Sequence, residues 1–222
     1  MCNSRSAISV TGRKLLRTFY RHNGGECPFC FHPTHMEGSD MENGFIRIKT
    51  FLNGGYVAEH EAVDRSKKDY GPIRSIAYRF AEMGKKVSIL PVMHHKSEGY
   101  RNIFGRLTGT KYERKCPDLI VDEVFYEYEG YRRPWNRRKI KNMLAHGVMQ
   151  SSFLIIDNTK GGADRLIRGA ISRKNKIDPA ALNEVWIYEK GHIRLFFRNG
   201  DFYKYNREDS CPPYDARTAV LA

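Results

Sequence analysis

The chain of 222 residues contains no apolar run near the roughly 20 residues that a bilayer span needs, so no membrane-spanning segment is expected. Its five cysteines are too few and too scattered for a disulfide scaffold. That usage points to a reducing compartment, and a cytoplasmic location is the expectation. The start, Met1 to Ala7, is polar and leads into Arg13 and Lys14 with no apolar core ahead of a cleavage site, so no secretory leader is expected. The glycine pairs Gly54-Gly55 and Gly161-Gly162 lack the G-x-x-x-x-G-K-[ST] pattern that cradles nucleotide phosphates, so no nucleotide cofactor is expected. There is also no G-x-S-x-G nucleophile elbow. No internal repeat and no low-complexity segment is visible.

Acidic residues are in deficit. Asp and Glu number 25 against 38 Lys and Arg, a formal charge of +13, with a pI near 9.6. A surplus of that size favours a polyanionic partner, of which nucleic acid is the commonest. The remaining balance, 41% hydrophobic and 28% charged, is ordinary for a globular chain and excludes wholesale disorder.

Three segments follow from the patterning: an N-terminal appendage over 1–43, an α/β domain over 44–208, and a C-terminal tail over 209–222. Within the middle segment, alternation predicts strands over 45–51 and 56–63 around the Asn53-Gly54-Gly55 turn. A helix is predicted over 70–83, with Pro72 near its start and Gly84 just past its end. A buried strand is predicted over 87–92, then a long polar loop over 93–116. A tight hairpin, 119–121 with 124–129, turns at Asp122-Glu123. Helices over 135–149 and 164–172 bracket a continuous apolar strand over 153–157. Short strands over 184–188, 193–197 and 202–205 close the order. The fold class expected is α/β (α+β), a central mixed β-sheet flanked by helices.

Pro117-Asp118, followed by Glu127-Tyr128-Glu129, is the most informative stretch. Residues two apart on a strand share a face, so Glu127 and Glu129 lie together, and the hairpin brings Asp118 towards them. Carboxylates gathered in this way repel unless a cation lies between them. Oxygen ligands of this kind suit Mg²⁺ or Mn²⁺, and such an ion activates water and stabilises charge on a phosphoryl group. Either Glu59 or Glu61, on the strand before the first helix, is placed to complete the set. His60, between them, is a candidate general base, and Gln150 a candidate for positioning substrate or water.

The motif together with the order helix, strand, hairpin, helix, strand resembles the PD-(D/E)XK nuclease superfamily. That resemblance implies catalytic and metal-binding roles for Asp118, Glu127 and Glu129. Glu129 departs from the pattern, because the superfamily has a lysine there that orients the attacking water. Its role passes to Lys139, to Lys141, or to no residue. Over roughly 54–197, Gly55-Tyr56-Val57, Ala81-Glu82-Met83-Gly84-Lys85, Val87-Ser88-Ile89-Leu90-Pro91, Gln150-Ser151-Ser152 and Glu184-Val185-Trp186-Ile187-Tyr188 resemble the C-terminal toxin domains of contact-dependent growth inhibition proteins. Orphan forms on bacterial mobile elements share the same body. This likeness implies a tRNA nuclease, a toxin-like role, and an immunity or inhibitor protein as partner. RNA is then the first substrate expected, with DNA close behind. A catalytically inactive nucleic-acid-binding accessory protein is the alternative.

The run from Arg132 to Lys141 carries Arg132, Arg133, Arg137, Arg138, Lys139 and Lys141 around Trp135. Cations there would hold phosphates and Trp135 would stack on an unpaired base. Arg165, Arg168, Arg173, Lys174 and Lys176 form a second basic face, with Asp164 as the expected helix cap. Finally, Cys27, Cys30, His32 and His35 have spacing open to a structural Zn²⁺, with Cys116 and His94-His95 as remaining donors.

Overall fold

The computed structural model describes residues 44–131 and 135–204, all within the compact unit Ser39–Ala222. The expected zinc ligands Cys27, Cys30, His32 and His35, the cations Arg132 and Arg133, and the 209–222 tail lie outside the described residues. None of the described helices is long and apolar enough to cross a membrane.

Among the described residues the architecture is a nine-stranded mixed sheet with four α-helices. In chain order the elements are β1 (Phe45–Thr50), β2 (Tyr56–His60), α1 (Tyr70–Glu82), β3 (Lys86–Ile89), α2 (Glu98–Phe104), β4 (Leu119–Val121), β5 (Val124–Gly130), α3 (Arg137–Gly147), β6 (Phe153–Asp157), α4 (Asp164–Ile177), β7 (Glu184–Glu189), β8 (His192–Arg198) and β9 (Asp201–Phe202). The strands lie in the sheet in the order β1 to β9. Pairing is parallel for β2/β3, β5/β6 and β6/β7, where α1, α3 and α4 make the crossovers. The other ladders are antiparallel, and all but β3/β4, whose connection carries α2, join through short turns.

Turn chemistry fixes the hairpins. Asp122 and Glu123 both take positive φ, 45° and 70°, which is the requirement of a two-residue type I′ turn. Asp122 also accepts the Lys86 backbone N–H at 2.9 Å and pairs with Lys85 Nζ at 2.7 Å, tying the tip to β3. Asn199-Gly200, at φ 50° and 100°, turns β8 into β9 in the same way. α1 ends where Gly84 adopts φ +83°, a conformation that costs glycine nothing.

The segment 93–116 is not wholly loop, as expected from its polarity. It contains α2, whose start is capped by the Ser97 hydroxyl accepting the Tyr100 N–H at 3.1 Å. Tyr100, Ile103, Phe104 and Leu107 recur at helical spacing and pack on Phe125 and Leu90, so burial of that face stabilises a helix too short to persist alone. α4 also runs past the expected Ser172, to Ile177.

Alternation along β5 divides the molecule. Tyr126 and Tyr128 join the core under α1, with Ile73, Ile76, Ala77 and Phe80. Phe125 faces α2, and Glu127 and Glu129 share its face. A second core lies between the sheet and the pair α3 and α4, built on Ile140, Leu144, Ile167, Ile171, Leu154 and Ile156. The carboxylates of β5 thus lie on the face opposite Tyr126 and Tyr128.

Candidate functional site

The last ladder pair of the β4–β5 hairpin is Leu119 opposite Tyr126. One residue before β4, Asp118 donates its backbone N–H to the Tyr126 carbonyl at 3.1 Å. Asp118 is held by the Tyr128 backbone N–H, which donates to its Oδ2 at 2.9 Å. The same residue lines a cleft with Lys67, Asp69, Tyr70, Ile73 and Pro91 at the start of α1. Hence Asp118 shares this cleft with Asp69.

Glu127 is 7% exposed, and its Oε2 is buried with no hydrogen-bond partner. Burial, then the charges of Asp118 and Glu129, push its carboxyl up to about 10. Asp118 is pushed up to about 6, first by burial and then by Glu129 and Asp69, against the Tyr128 N–H that favours its anion. Glu129 is raised by burial, although His146 opposes the shift. The three carboxyls therefore hold protons more tightly than solvated acids do, chiefly because they are buried, and a dication would supply the counter-charge that their anions lack there.

The partner of Glu129 was not foreseen. His146, in the last turn of α3, places Nδ1 at 2.6 Å from Glu129 Oε1. Gly147, next to it, lets the helix close on β5: a Cβ there would lie 3.0 Å from Glu129 Cγ and 3.1 Å from Leu154. Ligand atoms of Glu127, Glu129 and His146 all fall within 4.8 Å of one another, the one such group among the described residues, and Asp118 lies outside it. Two carboxylates and an imidazole, one oxygen buried and unpartnered, form a donor set that fits a divalent cation. The sequence signal for His146 is weak, since it stands 17 residues beyond Glu129 and nothing in its own neighbourhood marks it.

Several expected roles are corrected. Trp135 is 9% exposed and belongs to the core with Ile140 and Ile167. Its ring packs at a tilt of 39° against Tyr131, with centroids 5.5 Å apart, and it sits so close to Gly162 that a Cβ there would be 2.7 Å from it. It cannot also stack on a base. Lys139 is not at Glu129; its Nζ lies over the Tyr131 ring, 4.7 Å from the centroid. Glu59 does not reach the acid group either. It is 2% exposed and accepts from Arg65 Nε at 2.5 Å and Tyr70 Oη at 2.7 Å. Glu61 is exposed beyond the end of β2 and outside the group of ligand atoms. His60 is buried, its Nδ1 accepting the Ala62 N–H at 3.1 Å, and burial lowers its pKa. It is a packed histidine rather than a base. Asp164 is not a cap: Ala163 holds that position, and Asp164 pairs with Arg194 at 2.6 Å.

Arg137, Arg138 and Lys141 are exposed along α3, whose N-cap Asn136 accepts the Lys139 N–H at 3.0 Å. Arg168, on the second basic face, lies over Phe202 at 4.4 Å and Phe196 at 5.4 Å. Gln150 has a buried Oε1 without a hydrogen-bond partner. Cys116 is a free thiol on the Met93 carbonyl at 3.4 Å.

No family model matches the chain, and no curated protein matches it. Among solved structures, it is similar to a chain of the CdiA-CT/CdiI toxin and immunity complex from Burkholderia pseudomallei. The identity is 16%, over 61% of this chain and 89% of that one, with a TM-score of 0.39. A likeness of that size carries neither fold nor activity across.

Proposed function

We propose that this chain is a metal-dependent nuclease that hydrolyses phosphodiesters, with RNA as first substrate and tRNA as the class that the sequence resemblance implies. One observation carries the reading: the buried, unpartnered oxygen of Glu127, two residues from Glu129 on one face of β5. Asp118, Glu127 and Glu129 would hold a divalent cation. Bound there, it would lower the pKa of a water and stabilise charge on the phosphoryl oxygens.

The chain's own residues supply the rest. Exposed Arg137, Arg138 and Lys141 on α3, the helix whose last turn carries His146, would neutralise backbone phosphates. Asp69 and Lys67, in the cleft beside Asp118, would border the strand being cut. Water adds its oxygen to phosphorus, the bond to the leaving sugar oxygen breaks, and the proton of the water ends on the leaving oxygen or in solvent. An immunity or inhibitor protein is the partner implied by the sequence resemblance.

Glu129 in place of a lysine favours a second reading, a nucleic-acid-binding protein without catalysis. Incubation of the purified chain with total RNA and with plasmid DNA, in EDTA, Mg²⁺ or Mn²⁺, separates the two. Metal-dependent cleavage lost in Asp118→Asn and Glu127→Gln is the result expected of the nuclease. Binding that weakens with salt, with no cleavage under any metal, establishes the second reading instead.

A further inference from the structure

His146 bears on which ion the site would take. We propose that His146 is itself a ligand, and that it gives the site a preference for a first-row transition dication, Mn²⁺ as the probe, over Mg²⁺. This inference rests on the metal site of the nuclease reading and adds to it a ligand that the carboxylate motif does not contain.

Four observations support it. The ligand atoms of Glu127, Glu129 and His146 fall within 4.8 Å of one another, close to the roughly 3–4.4 Å that separates atoms bound to one dication. The buried Oε2 of Glu127 is an independent sign, because a carboxyl oxygen closed off from water and partners awaits a counter-charge. His146 lies at the carbonyl end of α3, where the helix field favours positive charge. Its side chain is 65% exposed while that of Glu129 is 12% exposed, so a hydrated ion reaches the imidazole first and the carboxylates after.

Ligand chemistry then sets the preference. Mg²⁺ takes oxygen ligands and sheds water reluctantly. Imidazole nitrogen suits the transition dications, and their affinity for nitrogen-containing sites exceeds that of the hard ions. A site of carboxylates alone would bind both ions with little distinction. The same site with His146 would not.

The test is metal binding by the purified full chain, followed by the paramagnetic resonance of free Mn²⁺ and by calorimetry with Mg²⁺. Wild type is expected to bind Mn²⁺ at least about tenfold more tightly than Mg²⁺. His146→Ala, at an exposed position that tolerates change, should lose at least about tenfold in Mn²⁺ affinity and less than about threefold in Mg²⁺ affinity. Glu127→Gln should weaken both ions together. Unchanged Mn²⁺ binding in His146→Ala, or equal losses for both ions, would overturn the role of His146 and leave the carboxylate site intact. Failure of the wild type to bind either ion would overturn the metal site and the nuclease reading with it.

Discussion

Asp118 accepts the backbone N–H of Tyr128 at 2.9 Å, so the side chain just ahead of β4 is fixed by the main chain of β5. The hydrogen bond favours the Asp118 anion while burial opposes it. Asp118→Asn keeps the shape but removes the negative charge. If the site holds a dication, activity should fall by more than about a hundredfold, because such an ion contributes several kcal/mol of transition-state stabilisation. Glu127→Gln should cost as much, and the double variant little more than either. Initial rates at saturating metal check this. Additive losses would mean that the two residues do not act as one unit.

The same pair predicts a pH dependence of stability. The folded-state pKa values of Asp118 and Glu127 are raised above the ordinary carboxylate range. The native state therefore keeps protons that the unfolded chain releases, and the contribution present at low pH is lost as pH rises through the raised values. In EDTA, the melting temperature of Glu127→Gln should gain on wild type steadily from about pH 5 to about pH 9. Saturating Mn²⁺ should cancel that gain by binding the ionised form in the native state. A difference that is flat with pH would show that Glu127 is not held protonated.

Burial of Trp135 turns an expected binding residue into a structural one. Trp135→Ala should destabilise the chain by about 3–5 kcal/mol, measured by urea denaturation. Trp135→Phe, which keeps the apolar contact with Tyr131, should leave RNA affinity within a factor of about two. A tenfold loss of affinity in the folded Phe variant would restore the stacking role.

The exposed cations of α3 should act on binding alone. Replacing Arg138 with Gln should weaken RNA and DNA similarly and reduce the slope of log K against log salt by about one. Folding stability should change by less than about 0.5 kcal/mol at this exposed position. Filter binding at several salt concentrations provides the slope.

Two adjacent glycines should behave differently. A Cβ on Gly55 would lie 2.0 Å from the Ala81 carbonyl oxygen, a backbone atom that cannot move aside. Gly55→Ala should cost at least about 1–3 kcal/mol. Gly54, at φ +83° with open space around it, should cost about 1–2 kcal/mol for its conformation alone. Only the first should also shift α1 against β2, readable in the amide spectra of both elements.

Much of this architecture was legible in the sequence because β-alternation and turn chemistry are local. Asn199-Gly200 and the 119–129 hairpin announce themselves. The alternation that puts Glu127 and Glu129 together is a property of two neighbouring residues. What stayed hidden depends on tertiary placement. Ser97, Tyr100, Ile103, Phe104 and Leu107 held the pattern of α2, but the polar residues among them masked it. The corrections at Trp135 and Glu59 both arise from packing: Gly162 opens room for the indole, and Arg65 with Tyr70 claims the carboxylate. His146 reaches Glu129 only because α3 ends there, and Gly147 admits it.

The strand order of the sheet repeats the strand order of the chain. Each ladder joins strands that are consecutive in sequence, so its closure entropy is set by one connection alone. No strand must wait for a distant segment to be inserted between earlier pairs. The sheet can grow by accretion as the polypeptide is delivered, whether from a ribosome or from any narrow passage through which the unfolded chain is threaded. That sequential ordering lowers the contact order and shortens the time during which unpaired strand edges are exposed to other chains.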